Sequence, residues 1–168
     1  MRTQSLDQFC AWLEQTPLSQ TIQTTAWIVP TVQTVHILAI AAVMGSVLMI
    51  DLRLLGILAR EQSLARVSER FRPFIWWTLP ILLATGMLMI IGEPVRSLEN
   101  PIFQLKMALL IAAIAATLSY QIPLGRDRAF WEVTSSRRGV ARVIAVVSLL
   151  LWVGIVFAGR WIAYFDNS

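Results

Sequence analysis

Four long apolar stretches limit this chain to one kind of fold. A helix needs about 20 predominantly apolar residues to cross the ~30 Å hydrocarbon core of a bilayer. Four segments meet that requirement and carry charges only near their ends, namely residues 27–50, 74–92, 102–122 and 140–164. Buried helices of soluble proteins rarely run this far without a polar face. The sequence therefore predicts an all-α, multi-pass membrane protein with four transmembrane helices in an up-down bundle.

The composition agrees with a membrane protein and excludes the main soluble classes. Of the 168 residues, 57% are hydrophobic and only 14% are charged. A soluble domain of this size could not bury so much apolar surface. Disorder and a disulfide-stapled scaffold are excluded by the same figures. The length corresponds to one domain, so we predict a single membrane domain over residues 1–168.

The segment before the first span predicts a short amphipathic helix over residues 5–16 and lacks the features of a signal peptide. Such a helix can lie in the membrane interface with Trp12 at headgroup depth, or it can pack over the end of the bundle. The apolar stripe itself does not decide between these two interpretations. Four apolar residues recur along it at helical spacing: Leu6, Phe9, Cys10 and Leu13.

Arginine is concentrated in two of the short connecting segments. Residues 51–73 hold five arginines and residues 123–142 hold five more, against four basic residues on the opposite side. The excess of basic residues in cytoplasmic loops predicts that both segments lie in the cytoplasm and that both termini are periplasmic. This arrangement is that of a bacterial inner-membrane protein whose main partner is the lipid bilayer. Because no nucleic-acid motif accompanies the net charge of +4, we predict no nucleic-acid binding.

Small residues on the third span predict a close helix contact. Ala108, Ala112 and Ala116 recur every four residues, which places them on one face of a helix. Small side chains let helix backbones approach closely in lipid. We therefore expect this stripe to face a neighbouring helix.

Ionisable side chains inside a span are costly unless they are paired or used, so they are the first candidates for function. His36 is the single histidine, and it lies about nine residues into the first span, or ~14 Å by helical rise. It lies on the same stripe of the helix as Val47 and Asp51, and Gly45 lies on the opposite side. We predict that the His36 stripe faces the bundle. A neutral imidazole there can ligate a metal or haem iron, carry a proton, or simply bond to a neighbouring helix.

Two further basic residues lie near the outer ends of their spans. Lys106 is the single lysine, in the third span, and Arg160 is in the fourth. Either can snorkel to the interface as an anchor. Alternatively, both can join Glu93 in a polar cluster above His36. We expect Asp51, at the cytoplasmic end of the first span, to pair at the interface with Arg53, Arg142 or a neighbouring loop.

Methionines offer soft ligands for copper or haem iron. Met87, Met89 and Met107 lie on other spans than His36 and, in straight helices, closer to the outer surface. Helix tilt can bring one or more of them to His36 and complete a copper site, whereas ordinary packing needs no such tilt. With one histidine and one cysteine the chain holds no zinc site of the usual type.

Short motifs in three of the spans resemble a known family. His36-Ile37-Leu38-Ala39 followed by Gly45, then Arg70-Phe71-Arg72 leading to Leu83-Ala84-Thr85-Gly86, and finally Phe103-Gln104-Leu105-Lys106-Met107-Ala108-Leu109, resemble segments of the copper-resistance D (CopD) family over residues 30–125. HemJ-type protoporphyrinogen oxidases are similar in their His and Lys arrangement. The resemblance implies a helical bundle handling copper or haem through His36 and Lys106. It is also compatible with an uncharacterised bacterial membrane family that shares this scaffold. The single histidine and four spans depart from a copper-transport pattern.

Three functions follow as hypotheses. The first is haem b binding, with His36 as axial ligand in one subunit or across a homodimer, and with Lys106 or Arg160 neutralising a propionate. The second is copper handling by His36 with one or more of the three methionines. The third is a cofactor-free scaffold or accessory subunit of a membrane complex. The sequence leaves open whether the protein is an enzyme.

Overall fold

The fold is entirely helical over residues 4–161, the part of the chain that the computed structural model describes. Four of its helices are long and apolar enough to cross a membrane, which confirms the predicted class and number of spans. In chain order the helices are α1 (Gln4–Glu14), α2 (Pro17–Thr24), α3 (Ile28–Leu54), α4 (Leu64–Gly92), α5 (Pro94–Leu98), α6 (Pro101–Arg126) and α7 (Ser135–Trp161). The last residues of the predicted fourth span lie outside the described residues.

The long helices extend beyond the apolar stretches that predict them. Helix α4 begins at Leu64 instead of residue 74, and the side chain of Ser63 caps it by accepting a hydrogen bond from the backbone N–H of Arg66 at 3.3 Å. Capping satisfies N–H groups that the first turn leaves unpaired. The added turns also bury Leu64 and Val67. Hydropathy marks the part of a helix that can lie in lipid, whereas capping and packing decide where that helix begins.

The four spans pack in a row. Helix α3 lies between α4 and α7, and α6 packs against the other side of α7. Among the described elements, α4 and α6 make no comparably close approach to each other. Side chains still meet across this part of the helix pack, since Ser68 of α4 approaches Tyr120 of α6. We call the end formed by segments 55–63 and 127–134 the Arg-rich end, and the end covered by α1, α2 and α5 the capped end.

The packing face of α6 is not the predicted alanine stripe. Ala108 and Ala112 are exposed, whereas the neighbouring face, which includes Ala113, Tyr120 and Leu124, is buried. An alanine-rich helix offers small-residue spacing on more than one face. The Ala113 face is selected because it continues into large side chains that fill the core towards the Arg-rich end. The prediction for the stripe is therefore wrong.

Helix α2 closes the capped end by bonding to the last turn of α4. The Ser19 hydroxyl donates to the carbonyl of Ile91 at 2.7 Å, and the Gln23 amide donates to the carbonyl of Gly92 at 2.9 Å. These carbonyls belong to the end of a helix, where carbonyls lack helical partners. A Cβ on Gly92 would lie 2.9 Å from a methyl group of Ile22, so glycine is needed for this close approach.

Helix α1 combines the two interpretations of the amphipathic segment. It contacts α5 and α2 and fully buries Cys10, so it packs over the end of the bundle. The same helix leaves Phe9 and Trp12 exposed, and their rings lie 5.9 Å apart. Exposed aromatic side chains of this kind suit the headgroup region of a bilayer. Burial raises the pKa of the Cys10 thiol, which makes it a poor nucleophile.

At the Arg-rich end, Glu132 joins three separate parts of the chain. Its Oε1 atom accepts from the Arg53 guanidinium at 3.0 Å and from the backbone N–H of Leu64 at 3.1 Å. Arg53 also donates to the carbonyl of Gln62 at 2.8 Å. Glu132 thereby connects the end of α3, the start of α4 and the segment between α6 and α7.

Replacing Glu132 by alanine is expected to destabilise the fold by about 1–2 kcal/mol, because Arg53 and the Leu64 N–H lose their shared acceptor. Thermal unfolding in detergent measures the effect. Glu132→Gln keeps an oxygen acceptor and should recover about half of the loss, because only the charge is removed. Equal Tm values for the alanine variant and the wild type would contradict this role.

Candidate intramembrane histidine site

His36 is held by a hydrogen bond from its ring to the neighbouring helix α4. Its Nδ1 atom lies 2.7 Å from Oγ1 of Thr85. The same hydroxyl lies 2.6 Å from the carbonyl oxygen of Ile81, one turn earlier in α4. A threonine hydroxyl has one proton, and the carbonyl can only accept, so that proton goes to Ile81. The hydroxyl therefore accepts from Nδ1–H of His36.

This bond fixes the chemistry of the other ring nitrogen. With the proton on Nδ1, a neutral imidazole carries its lone pair on Nε2. Over residues 4–161, Nε2 has no hydrogen-bond partner. Within the described residues, His36 therefore has a lone pair on Nε2 that is not used in a hydrogen bond, while the ring is held through Nδ1.

The ring lies where α3 and α4 pack closely. Thr85 is buried, His36 is half-buried, and a Cβ built on Gly86 would be 3.8 Å from Cε1 of His36. The predicted face of α3 is also correct further along the helix, since Val47 and Asp51 are buried and Gly45 is exposed. The prediction that His36 faces protein is confirmed.

Lys106 reaches the same half of the helix pack from α6. Its Cε and Nζ atoms would each lie 3.8 Å from a Cβ built on Gly159 of α7, so the side chain lies along that glycine. Its charge is near enough to act on His36 electrostatically. Arg160, the residue after Gly159, is exposed. Glu93 pairs at 2.9 Å with Arg96, a partner that the sequence analysis does not predict.

A cavity of about 210 Å³ opens at the capped end above this region. It is lined by apolar residues of α2, α3 and α4 and, on its polar side, by Gln33, Glu93 and Arg96. Gln33 lies one turn from His36 on α3, and Gly159, which contacts Lys106, also lines the cavity. The cavity thus extends from the capped end to within one helical turn of the histidine. It is smaller than the ~300–1,000 Å³ of pockets that enclose drug-sized ligands.

The three methionines are placed differently. Met87 is 53% exposed and Met107 is 37% exposed, whereas Met89 lines the cavity. Residues 4–161 contain no group of three or more His, Cys, Asp or Glu side chains that could hold a metal ion. A copper site formed by His36 with one or more of these methionines stays a prediction.

Two features of the site differ from what the sequence predicts. The sequence assigns no role to Thr85, although its depth matches that of His36. Thr85 lies seven residues before the end of α4, and His36 lies eight residues after the start of α3, at the same end of the bundle. Equal depth in neighbouring helices is the signal that identifies such a partner. Asp51 is expected in an ion pair, but it is 1% exposed and forms none among the described residues, because Arg53 pairs with Glu132.

The model of a protein family described as having unknown function, DUF6644, matches residues 9–165, which is nearly the whole chain. The chain belongs to the DUF6644 family. The part of the chain matched to DUF6644 includes all four long helices and therefore His36, Thr85 and Lys106. No curated protein and no solved structure matches the chain. Since the DUF6644 description assigns no activity, the resemblance to the CopD and HemJ-type families stays a prediction.

Proposed function

We propose that this membrane protein binds haem b through Nε2 of His36. The observation that carries the proposal is the bond from Nδ1–H to Thr85, which leaves a lone pair on Nε2. Histidines that ligate metals almost always donate their other N–H to a fixed acceptor, which orients the ring and sets its tautomer. A purely structural histidine also explains the bond to Thr85. The unpartnered Nε2 favours a ligand.

The residues around His36 fit haem in charge and number of ligands. Haem iron needs as few as one protein ligand, and haem propionates need cations. Lys106 lies in the same half of the membrane, and exposed Arg160 follows Gly159, which Lys106 contacts. When bound, haem supplies one-electron redox chemistry, while the protein sets its position and electrostatics.

The space near His36 favours haem that is only partly enclosed by one chain. The cavity of about 210 Å³ is too small to surround a macrocycle. A bound haem would therefore contact lipid, or a second copy of the chain would cover it. In a homodimer the second copy would supply its own histidine as a further ligand for the iron.

Copper is supported less well than haem by the same residues. Two of the three candidate methionines are more than a third exposed, and a soft copper site needs several converging ligands. A cofactor-free scaffold would need the histidine only for its bond to Thr85.

Absorption spectroscopy combined with metal analysis tests the proposal. Full-length protein purified in detergent from haem-replete cells is expected to show a Soret band and no copper. Haem b added to colourless protein should restore the same band at saturation. One haem per chain indicates a single-subunit site, and one haem per two chains indicates a shared one. Bound copper without a Soret band would overturn the haem proposal in favour of copper binding. If neither cofactor is bound after reconstitution, the result would favour the cofactor-free scaffold.

A further inference from the structure

A second polar cluster lies near the Arg-rich end, about 22 Å along α3 from His36 by helical rise. At its centre is Asp51, which is only 1% exposed. Ser148 of α7 lies next to the carboxyl group, and Trp152 lies one turn further on the same face of α7. Tyr120 and its neighbour Gln121 approach from α6, and Ser68 approaches Tyr120 from α4. We call these six residues the Asp51 cluster.

Four side-chain atoms of this cluster are buried without a hydrogen-bond partner among residues 4–161. They are Oδ2 of Asp51, the hydroxyl of Tyr120, Nε2 of Gln121 and Nε1 of Trp152. Buried polar atoms are nearly always satisfied by protein or by internal water, because leaving them unpaired is costly. Two of these atoms, the Asp51 carboxyl oxygen and the Tyr120 hydroxyl, belong to groups that lie near enough to interact electrostatically, and internal water can bridge such a pair.

The charges around Asp51 do not neutralise it. Of the side chains that face it from α6 and α7, only Tyr120 is titratable. On its own helix, Arg53 is occupied by Glu132. Arg72 of α4 is exposed and acts on Tyr120. Within the part of the chain that the structure describes, Asp51 therefore has no cation paired to it.

A carboxyl group in this setting can exist in two states. Burial without a cation favours the neutral acid, since a lone charge is expensive to place in a bundle of this kind. The Ser148 hydroxyl beside the carboxyl group can stabilise the anion, and the Tyr120 hydroxyl can do so through bridging water. A site that sustains both forms can take up and release a proton.

We propose that Asp51 is a proton-binding site that exchanges protons with the Arg-rich end. On uptake, an O–H bond forms at Oδ2 from a proton delivered by water. On release, the proton returns to water and the electron pair stays on the carboxylate. The Arg-rich end is the nearer exit, because Asp51 lies three residues before the end of α3 at Leu54. The proposal is independent of haem binding, which concerns the other half of the helix pack.

Infrared difference spectra of the full-length protein in lipid vesicles test this proposal. Between neutral and alkaline pH we expect the carbonyl band of one protonated carboxylic acid to disappear. The band should shift in D₂O, because its proton exchanges with solvent. Asp51→Asn should lose the band completely. The matched control Asp127→Asn should keep it, because Asp127 is exposed in the loop after α6.

Three results would overturn the proposal: no such band in the wild type, a band that survives Asp51→Asn, or a band that does not shift in D₂O. The last result would mean a permanently protonated structural acid. If Asp51→Asn does not fold, Tyr120→Phe keeps the carboxyl group and removes one donor. A shift of the carbonyl band in that variant supports the proposal, and an unchanged band position contradicts it.

Discussion

Replacing His36 by alanine is expected to abolish the Soret band of the purified protein while the protein still inserts into the membrane. The reason is that Nε2 of His36 is the single nitrogen ligand proposed for the iron, and Nδ1 is already bonded to Thr85. Without His36 the protein would lose its proposed bond to the iron, whereas nearby cations would contribute only to holding the propionates. Absorption of the variant, purified from the same haem-replete cells, measures the loss.

Two controls separate ligand loss from a change in fold. Imidazole added to the alanine variant can fill the space of the missing ring and should restore haem binding. Thr85→Val keeps the shape of the buried side chain but removes the acceptor for Nδ1–H, and haem should bind about 10–100-fold more weakly. A full Soret band in the His36→Ala variant would show that His36 is not the ligand. An unchanged haem affinity in Thr85→Val would contradict the orienting role of Thr85.

The sequence is sufficient to predict the parts of the site that depend on a single helix. Helical periodicity places His36 on the same side of α3 as Val47 and opposite Gly45, and both positions agree with the structure. The length of the apolar stretch gives the depth of His36, since rise per residue is constant. These inferences need only the geometry of one helix, which is why they hold.

Contacts between helices could not be predicted from the sequence, because they depend on how the helices are arranged around each other. The Ala108 stripe and the Ala113 face have similar small residues, and only the tertiary arrangement selects between them. Asp51 has two arginines within reach in the sequence analysis, yet Glu132, distant in sequence, takes Arg53. Helix α2 is also missed, because its apolar content is low and its stability comes from bonds to the end of α4. Propensity is a weak guide for such short helices.

Trp131→Ala is expected to destabilise the fold by about 3–5 kcal/mol, the cost typical of removing a large buried aromatic side chain. Trp131 is 6% exposed and belongs to the core, although it lies in the segment between α6 and α7. Its Nε1–H donates to the carbonyl of Tyr120 at 3.0 Å, and its ring packs edge-to-face with that of Phe130, the two ring centroids lying 4.9 Å apart. Thermal or denaturant unfolding in detergent measures the change.

Matched substitutions show which property of Trp131 matters. Trp77→Ala makes the same chemical change at a residue that is 77% exposed, so its effect in detergent should be small. Trp131→Phe keeps an aromatic ring and loses the N–H, which should cost about 1 kcal/mol for the hydrogen bond alone. Because Trp131 holds the backbone at Tyr120, the alanine variant should also shift the infrared carbonyl band proposed for Asp51. If Trp131→Ala and Trp77→Ala unfold at the same Tm, the segment between α6 and α7 is not part of the stabilising core.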